Sequence, residues 1–229
     1  MPQNTTPVAD EGEVILINKP LTWTSFDAVN KIKKSCKIKK IGHAGTLDPL
    51  ATGLLILCTG KKTKDIENYQ AAEKEYTGTL VLGKTTPSID LETEFDATYP
   101  TEHITADALR QAAAQLTGTI EQYPPIYSAV KMGGERLYKK ARRGEAVEIK
   151  PRVVTVSVFE IDDTSFPQIR FRIVCSKGTY IRSVVRDFGL LLGSGAYLSE
   201  LCRTRIGDFW LKDAVEIQDF IRKKQAISA

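Results

Sequence analysis

Two spacings of apolar residues alternate along the chain, one of two residues and one of about 3.6, and they predict strands and helices in turn. EVILINKP reads as a buried strand that Pro20 closes. TSFDAVNKIKKSCKIKK predicts a helix with Thr24 as N-cap and Asp27 at the capping-box position. Phe26, Val29, Ile32 and Cys36 form its apolar stripe, and its lysines face outward. HAGTLDPLATG follows as a loop, and GLLILCTG returns to strand. KEYTGTLVLG alternates like a half-buried strand, with Tyr76, Gly78, Leu80 and Leu82 on one face. PSIDLETEFDATYP reads as an irregular, exposed insertion. TADALRQAAAQLTG predicts a helix capped by Thr105 and stopped by Gly118.

YPPIYSAVKMGGERLYKKARRGE carries turn signals around a short basic helix. RVVTVSVFEI and QIRFRIVCSKG are strands joined by the turn-like DDTSFP. TYIRSVVRDFGLLLG has helical spacing in Ile181, Val184, Val185 and Phe188; LSELCRTRIGDF reads as a strand and AVEIQDFIRKK as an amphipathic helix. The pattern predicts an α+β chain with a large, mainly antiparallel mixed sheet and helices on its faces.

Composition narrows the class. A chain of 229 residues that is 42% hydrophobic and 26% charged has the makings of a folded, water-soluble protein. No apolar run approaches the length of a bilayer span, and the polar start MPQNTTPVADEGE is no secretory signal. Residues 1–12 read as a flexible tail, and residues 13–229 as a single domain. Cys36, Cys58, Cys175 and Cys202 are far apart, which suits reduced thiols in a cytoplasm. With only His43 and His103 to add nitrogen ligands, no metal site is expected. Charge is segregated. Between Lys31 and Lys64 nine lysines face the single Asp48; between Asp65 and Asp107 ten acids face Lys74 and Lys84. From Ala108 to Arg152 nine basic residues face four glutamates. Such segregation fits a polyanion-binding face, or ordinary solvated helix faces.

Asp48 is the candidate for chemistry. An Asp in a turn commonly hydrogen-bonds its own backbone. Here Leu47, Leu50 and Leu54 make the setting dry, where an ionised carboxylate needs a partner. Gly45 and Gly53 allow close backbone approach, or serve a tight turn. Downstream, SKGTYIRS offers Arg182 at a strand-to-helix junction, a side chain able to hold a buried carboxylate ionised.

GHAGTLDPLATGLLILCTGKKTK resembles the catalytic motif of the TruB family of pseudouridine synthases. EYTGTLVLGKTT, PPIYSAVKMGGERLYKKARRGE and CSKGTYIRSVVRDFG resemble three further stretches of that family, in its order. The likeness runs from Val14 to Phe209. Leu50-Ala51 stands where guide-RNA-directed relatives have Lys-Val, which favours the stand-alone bacterial type.

The resemblance implies a pseudouridine synthase fold with a central catalytic cleft, and isomerisation of the T-loop uridine of transfer RNA without a cofactor. It makes Asp48 the nucleophile, lays Tyr76 against the target base and pairs Arg182 with Asp48. His43, Tyr180 and Leu201 match positions that contact the flipped nucleotide. A lone acid suits this chemistry: it meets developing positive charge at the sugar C1′, while apolar neighbours keep water from hydrolysing the intermediate. The uridine must leave its stack, and His43 could fill the gap. Phosphates would be gripped by Lys31, Lys34, Lys37, Lys39 and Lys40, and by Lys139, Lys140, Arg142 and Arg143. Many bacterial members carry a further C-terminal RNA-binding domain of the PUA type, which is expected to be missing here. The expected partner is the T-arm of transfer RNA, bound by a cytoplasmic monomer that needs no membrane or protein partner. The competing readings are a non-catalytic RNA-binding or RNA-folding protein on the same scaffold, and a synthase acting mainly on another RNA.

Overall fold

The structure, a computed structural model, describes residues 11–128, 131–132, 135–136, 143 and 149–227. They gather into two units: the residues up to Ala71 with those from Asp208 on, and Ala72–Gly207.

In the first unit, β1 (Val14–Lys19) buries alternate side chains, Ile15, Ile17 and Lys19. β2 (Ile41–Ala44) and β3 (Ala51–Thr59) form an antiparallel hairpin, and β3 also pairs antiparallel with β1. A short strand, Val215–Glu216, joins β1 in parallel, which makes this sheet mixed. Leu54 to Cys58 are fully buried, as in a strand covered on both faces.

Helix α1 (Ser25–Ser35) opens on the predicted capping box: the Thr24 hydroxyl accepts from the Asp27 N–H at 3.0 Å, and Asp27 accepts from the Thr24 N–H at 2.9 Å. Its buried face is Ser25, Ala28, Val29 and Ile32, packed on Leu55, Leu57, Ile217 and Ile221. Burial on this scale gives about 1.5–3 kcal/mol for each large aliphatic side chain. Phe26, expected on that stripe, is 65% exposed. The stripe begins at Ser25, and one residue further along turns a side chain about 100° around the helix. Lys31, Lys34, Lys37, Lys39 and Lys40 are exposed, as expected.

The second unit contains β4 (Lys74–Leu82), β5 (Gly118–Gln122), β6 (Arg152–Ser165), β7 (Gln168–Cys175) and β8 (Ala196–Ile206). They form antiparallel pairs in the order β8-β4-β7-β6-β5. The turn predicted across DDTSFP shrinks to Phe166–Pro167, because both strands run further than their apolar cores. Helices α2 (Ala106–Gln115) and α3 (Ile181–Leu191) pack against this sheet. Phe188 of α3 meets Phe159 of β6 at 5.5 Å between ring centroids, and Phe159 meets Phe171 of β7 at 6.4 Å. On the opposite face Arg172 bridges Glu75 at 3.0 Å and Glu160 at 2.7 Å.

β8 departs from simple alternation twice. Ser199 and Thr204 are each an extra residue opposite β4. The buried positions are therefore Ala196 and Leu198, then Leu201 and Arg203, then Ile206. Each bulge residue bonds back to β4: the Ser199 hydroxyl donates to the Thr79 carbonyl at 3.0 Å, and the Thr204 hydroxyl to the Glu75 carboxylate at 2.9 Å.

The stretch expected to be an exposed insertion is anchored at its start. Ser88, Ile89 and Asp90 are buried, and Leu198 of β8 donates its N–H to the Ile89 carbonyl at 2.9 Å. The helix expected within 123–145 falls largely outside the described residues, as do Lys139, Lys140 and Arg142; Arg143 is exposed. The fold is α+β, with sheets flanked by helices.

Candidate active site

Asp48 sits in the turn between β2 and β3, so the motif read as a loop is a hairpin with His43 on its first strand. Gly45 enters the turn with φ of 85°, a left-handed conformation that glycine adopts without strain. Both residues beside Asp48 are fixed. The Ser25 hydroxyl accepts from the Leu47 N–H at 2.9 Å and donates to the Leu47 carbonyl at 3.3 Å. The Pro49 carbonyl takes the Thr22 N–H at 2.8 Å and the Lys19 ammonium at 3.4 Å. Lys19, fully buried, also donates to the carbonyls of Pro20 at 2.9 Å and Trp23 at 2.6 Å. The Asp48 carbonyl accepts from the Ala51 N–H at 3.0 Å, which closes the turn. Asp48 as a whole is half-buried. Its backbone is thus held from both sides by groups on β1, α1 and the segment joining them, the rigidity that a reacting side chain needs.

The second unit carries Tyr76, Tyr180, Arg182 and Leu201. Tyr76 on β4 is opposite Ile173 of β7 and Arg203 of β8; Leu201 is opposite Gly78. Directly opposed residues share a sheet face, so Tyr76 and Leu201 are brought to one face. Gly78 between them must be glycine. A Cβ there would lie 2.3 Å from the Glu200 carbonyl oxygen and 2.6 Å from the Phe171 ring.

Tyr180 is the N-cap of α3, clamped by the buried Gln122: its N–H donates to Oε1 at 2.8 Å and its carbonyl accepts from Nε2 at 3.1 Å. Arg152 stacks 5.2 Å from its ring centroid. Arg182 enters the first turn of α3 and is 4% exposed. Its Nη1 donates to the Ser88 carbonyl at 3.0 Å and its Nη2 to the Tyr127 carbonyl at 2.9 Å, while Nε lies 3.7 Å from Asp90.

Sequence reasoning missed Asp90, Ser88, Lys19 and Ser25. Asp90 lies between Ile89 and Leu91, an apolar flank like that of Asp48, and that was the available signal. Among the described residues no group of His, Cys, Asp and Glu is placed to hold a metal ion. Nor is any helix among them long and apolar enough to cross a membrane.

Residues 33–181 match the model of the TruB family pseudouridylate synthase N-terminal domain. The chain is 55% identical over 217 residues to the tRNA pseudouridine synthase B of Flavobacterium johnsoniae, covering 92% of this chain and 95% of that one. It is 53% identical over 216 residues to the tRNA pseudouridine synthase B of Phocaeicola vulgatus, covering 92% of each. In structure it is similar to a chain in the crystal structure of a Cbf5-Nop10-Gar1 complex, with a TM-score of 0.72 at 30% identity, over 91% of this chain. It spans about half (53%) of the length of that chain. The chain belongs to the TruB family of pseudouridine synthases.

Proposed function

We propose that this protein isomerises the uridine at position 55, in the T loop of transfer RNA, to pseudouridine. The observation that carries the reading is Asp48: a carboxylate in the family's motif, between apolar Leu47 and Pro49 on a turn pinned through both. The N1–C1′ bond breaks, uracil turns within the pocket, and C5 bonds to C1′. Asp48 either traps the sugar at C1′ or assists its deprotonation, and Arg182 pairs with it to keep it ionised. Tyr76 lies against the base and takes the C5 proton. His43, Tyr180 and Leu201 hold the flipped nucleotide. The exposed Lys31, Lys34, Lys37, Lys39 and Lys40 grip phosphates, together with Lys139, Lys140, Arg142 and Arg143. The reaction needs no cofactor, and the enzyme works as a cytoplasmic monomer.

The test is to incubate the protein with unmodified transfer RNA and map pseudouridine by position. Asp48→Asn should abolish product while leaving transfer RNA affinity within several-fold, because the amide keeps shape but cannot act as nucleophile. Residual turnover above a few per cent would remove Asp48 from that role.

A further inference from the structure

The sheet face that carries Tyr76 also carries two buried cations. Lys74 lies two residues before Tyr76 on β4 and is 6% exposed; Arg203 lies directly opposite Tyr76 on β8 and is 1% exposed. Opposed residues in an antiparallel pair have Cβ atoms about 4.5–5.5 Å apart, so the guanidinium and the phenol grow from neighbouring points on one face. A regular pairing of β8 would turn Glu200 and Cys202 inward instead. The bulge at Ser199 shifts the phase so that Leu201 and Arg203 face in, and the bulge at Thr204 restores it for Ile206. Bulges recur beside active sites because they re-aim side chains in this way. A buried guanidinium is costly, and an aliphatic residue would fill the position with less desolvation.

Within this unit Lys177 acts on Lys74 by its charge, and Glu73 on the neighbouring Cys175. β7 contributes Ile173 opposite Tyr76 and Cys175 opposite Lys74; burial pushes that thiol up to about 11, so it is neutral. α3, packed on the sheet, brings Arg182, which has Asp90 beside it. Lys74 is drawn down to about 8, first by burial and then by the charge of Arg203. A positive potential that works against an ammonium favours an anion at the same place.

We propose that Arg203 is a positioning residue for isomerisation: its guanidinium beside Tyr76 favours the phenolate and readies Tyr76 to accept the C5 proton. The inference rests on the role given to Tyr76 above. In that step the C5–H bond breaks and its electron pair re-forms the C5=C6 double bond. The pair of the N1=C6 bond moves to N1, which takes up a proton, and Tyr76 ends as the phenol.

Single-turnover rates on pre-folded transfer RNA, measured across pH, test this in wild type, Arg203→Met, Arg203→Lys, Tyr76→Phe and the Met/Phe double variant. Arg203→Met should slow the chemical step about ten- to a hundredfold and move the rising limb of its pH profile to higher pH, with transfer RNA affinity kept. Arg203→Lys should retain most of the rate. In the Tyr76→Phe background, Arg203→Met should change the rate less than about twofold, since its target is gone. A full additive loss there overturns the inference and leaves the role of Tyr76 standing. A wild-type rate for Tyr76→Phe overturns both. An ultraviolet difference titration of wild type against Tyr76→Phe needs no Arg203 variant, so it stands even where Arg203→Met fails to fold. It should show one tyrosinate forming well below the ordinary value of about 10; a tyrosinate forming at or above that value refutes the proposal.

Discussion

Ser25→Ala removes one oxygen atom from the first turn of α1, yet its effect should be felt at Asp48. Ser25 is 2% exposed, and its hydroxyl is a two-way clamp on Leu47, itself 3% exposed. Without it the Leu47 N–H loses its partner away from water, and an unsatisfied buried donor costs about 1–3 kcal/mol. For a chain of this size each kcal/mol lowers Tm by roughly 2–4 °C, so a fall of about 2–12 °C is expected. The functional loss should be larger than stability alone explains. Leu47 precedes Asp48 directly, and a displacement of about 1 Å at a reacting group can reduce rate by roughly a hundredfold. Steady-state isomerisation, followed by tritium release from C5-labelled transfer RNA, should show kcat reduced tenfold or more with KM unchanged, because buried Ser25 is out of reach of RNA. Thr24→Ala is the matched control: it removes the N-cap of the same helix at about 1 kcal/mol but leaves Leu47 clamped. If Ser25→Ala keeps the kcat of that control, the reasoning is wrong.

Two further outcomes follow from buried charge. Asp90→Ala takes away the carboxylate beside the buried Arg182 guanidinium, so denaturant unfolding should report a loss of about 3 kcal/mol; a loss below about 1 kcal/mol would mean the pair is solvated. Lys74 titrates at about 8 in the folded chain against 10.5 ordinarily, so between those values the unfolded chain binds more protons and stability rises with pH. Lys74→Met should therefore gain on wild type near pH 7 and lose that advantage by pH 10.5, by on the order of 3 kcal/mol in all. The thiols of Cys58 and Cys175, both pushed up to about 11, oppose this trend; Cys58 cancels in the comparison, while Cys175 loses the lowering influence of the Lys74 charge in the variant, and a difference that stays flat with pH would refute the assignment.

Much of this was legible because it is local. The Thr24–Asp27 box, the alternation that buries Tyr76 and the junction that carries Arg182 all depend on residues a few positions apart. Phe26 was misassigned because a stripe read from apolar residues alone overlooks a buried Ser25 whose hydroxyl has a partner. Lys19 was invisible for a related reason. A lysine reads as solvated unless carbonyls from Pro20, Trp23 and Pro49 gather around it, and that gathering is tertiary. Asp90 was lost in an acidic stretch whose composition signals exposure, although its anchors, Leu198 and Arg182, lie far along the chain. The inward turn of Arg203 follows from pairing register, which single-strand periodicity does not encode.

The two bulges of β8 also bear on how such chains are compared and how they change. Removing the Ser199 and Thr204 codons together would leave a regular strand in which Leu198, Leu201, Arg203 and Ile206 still face inward, opposite the same β4 partners. The length of this strand is therefore less constrained than the set of side chains it presents. A relative shorter here by one or two residues could carry an equivalent inward row, and an alignment that forbids gaps inside strands would set Arg203 against an outward-facing residue.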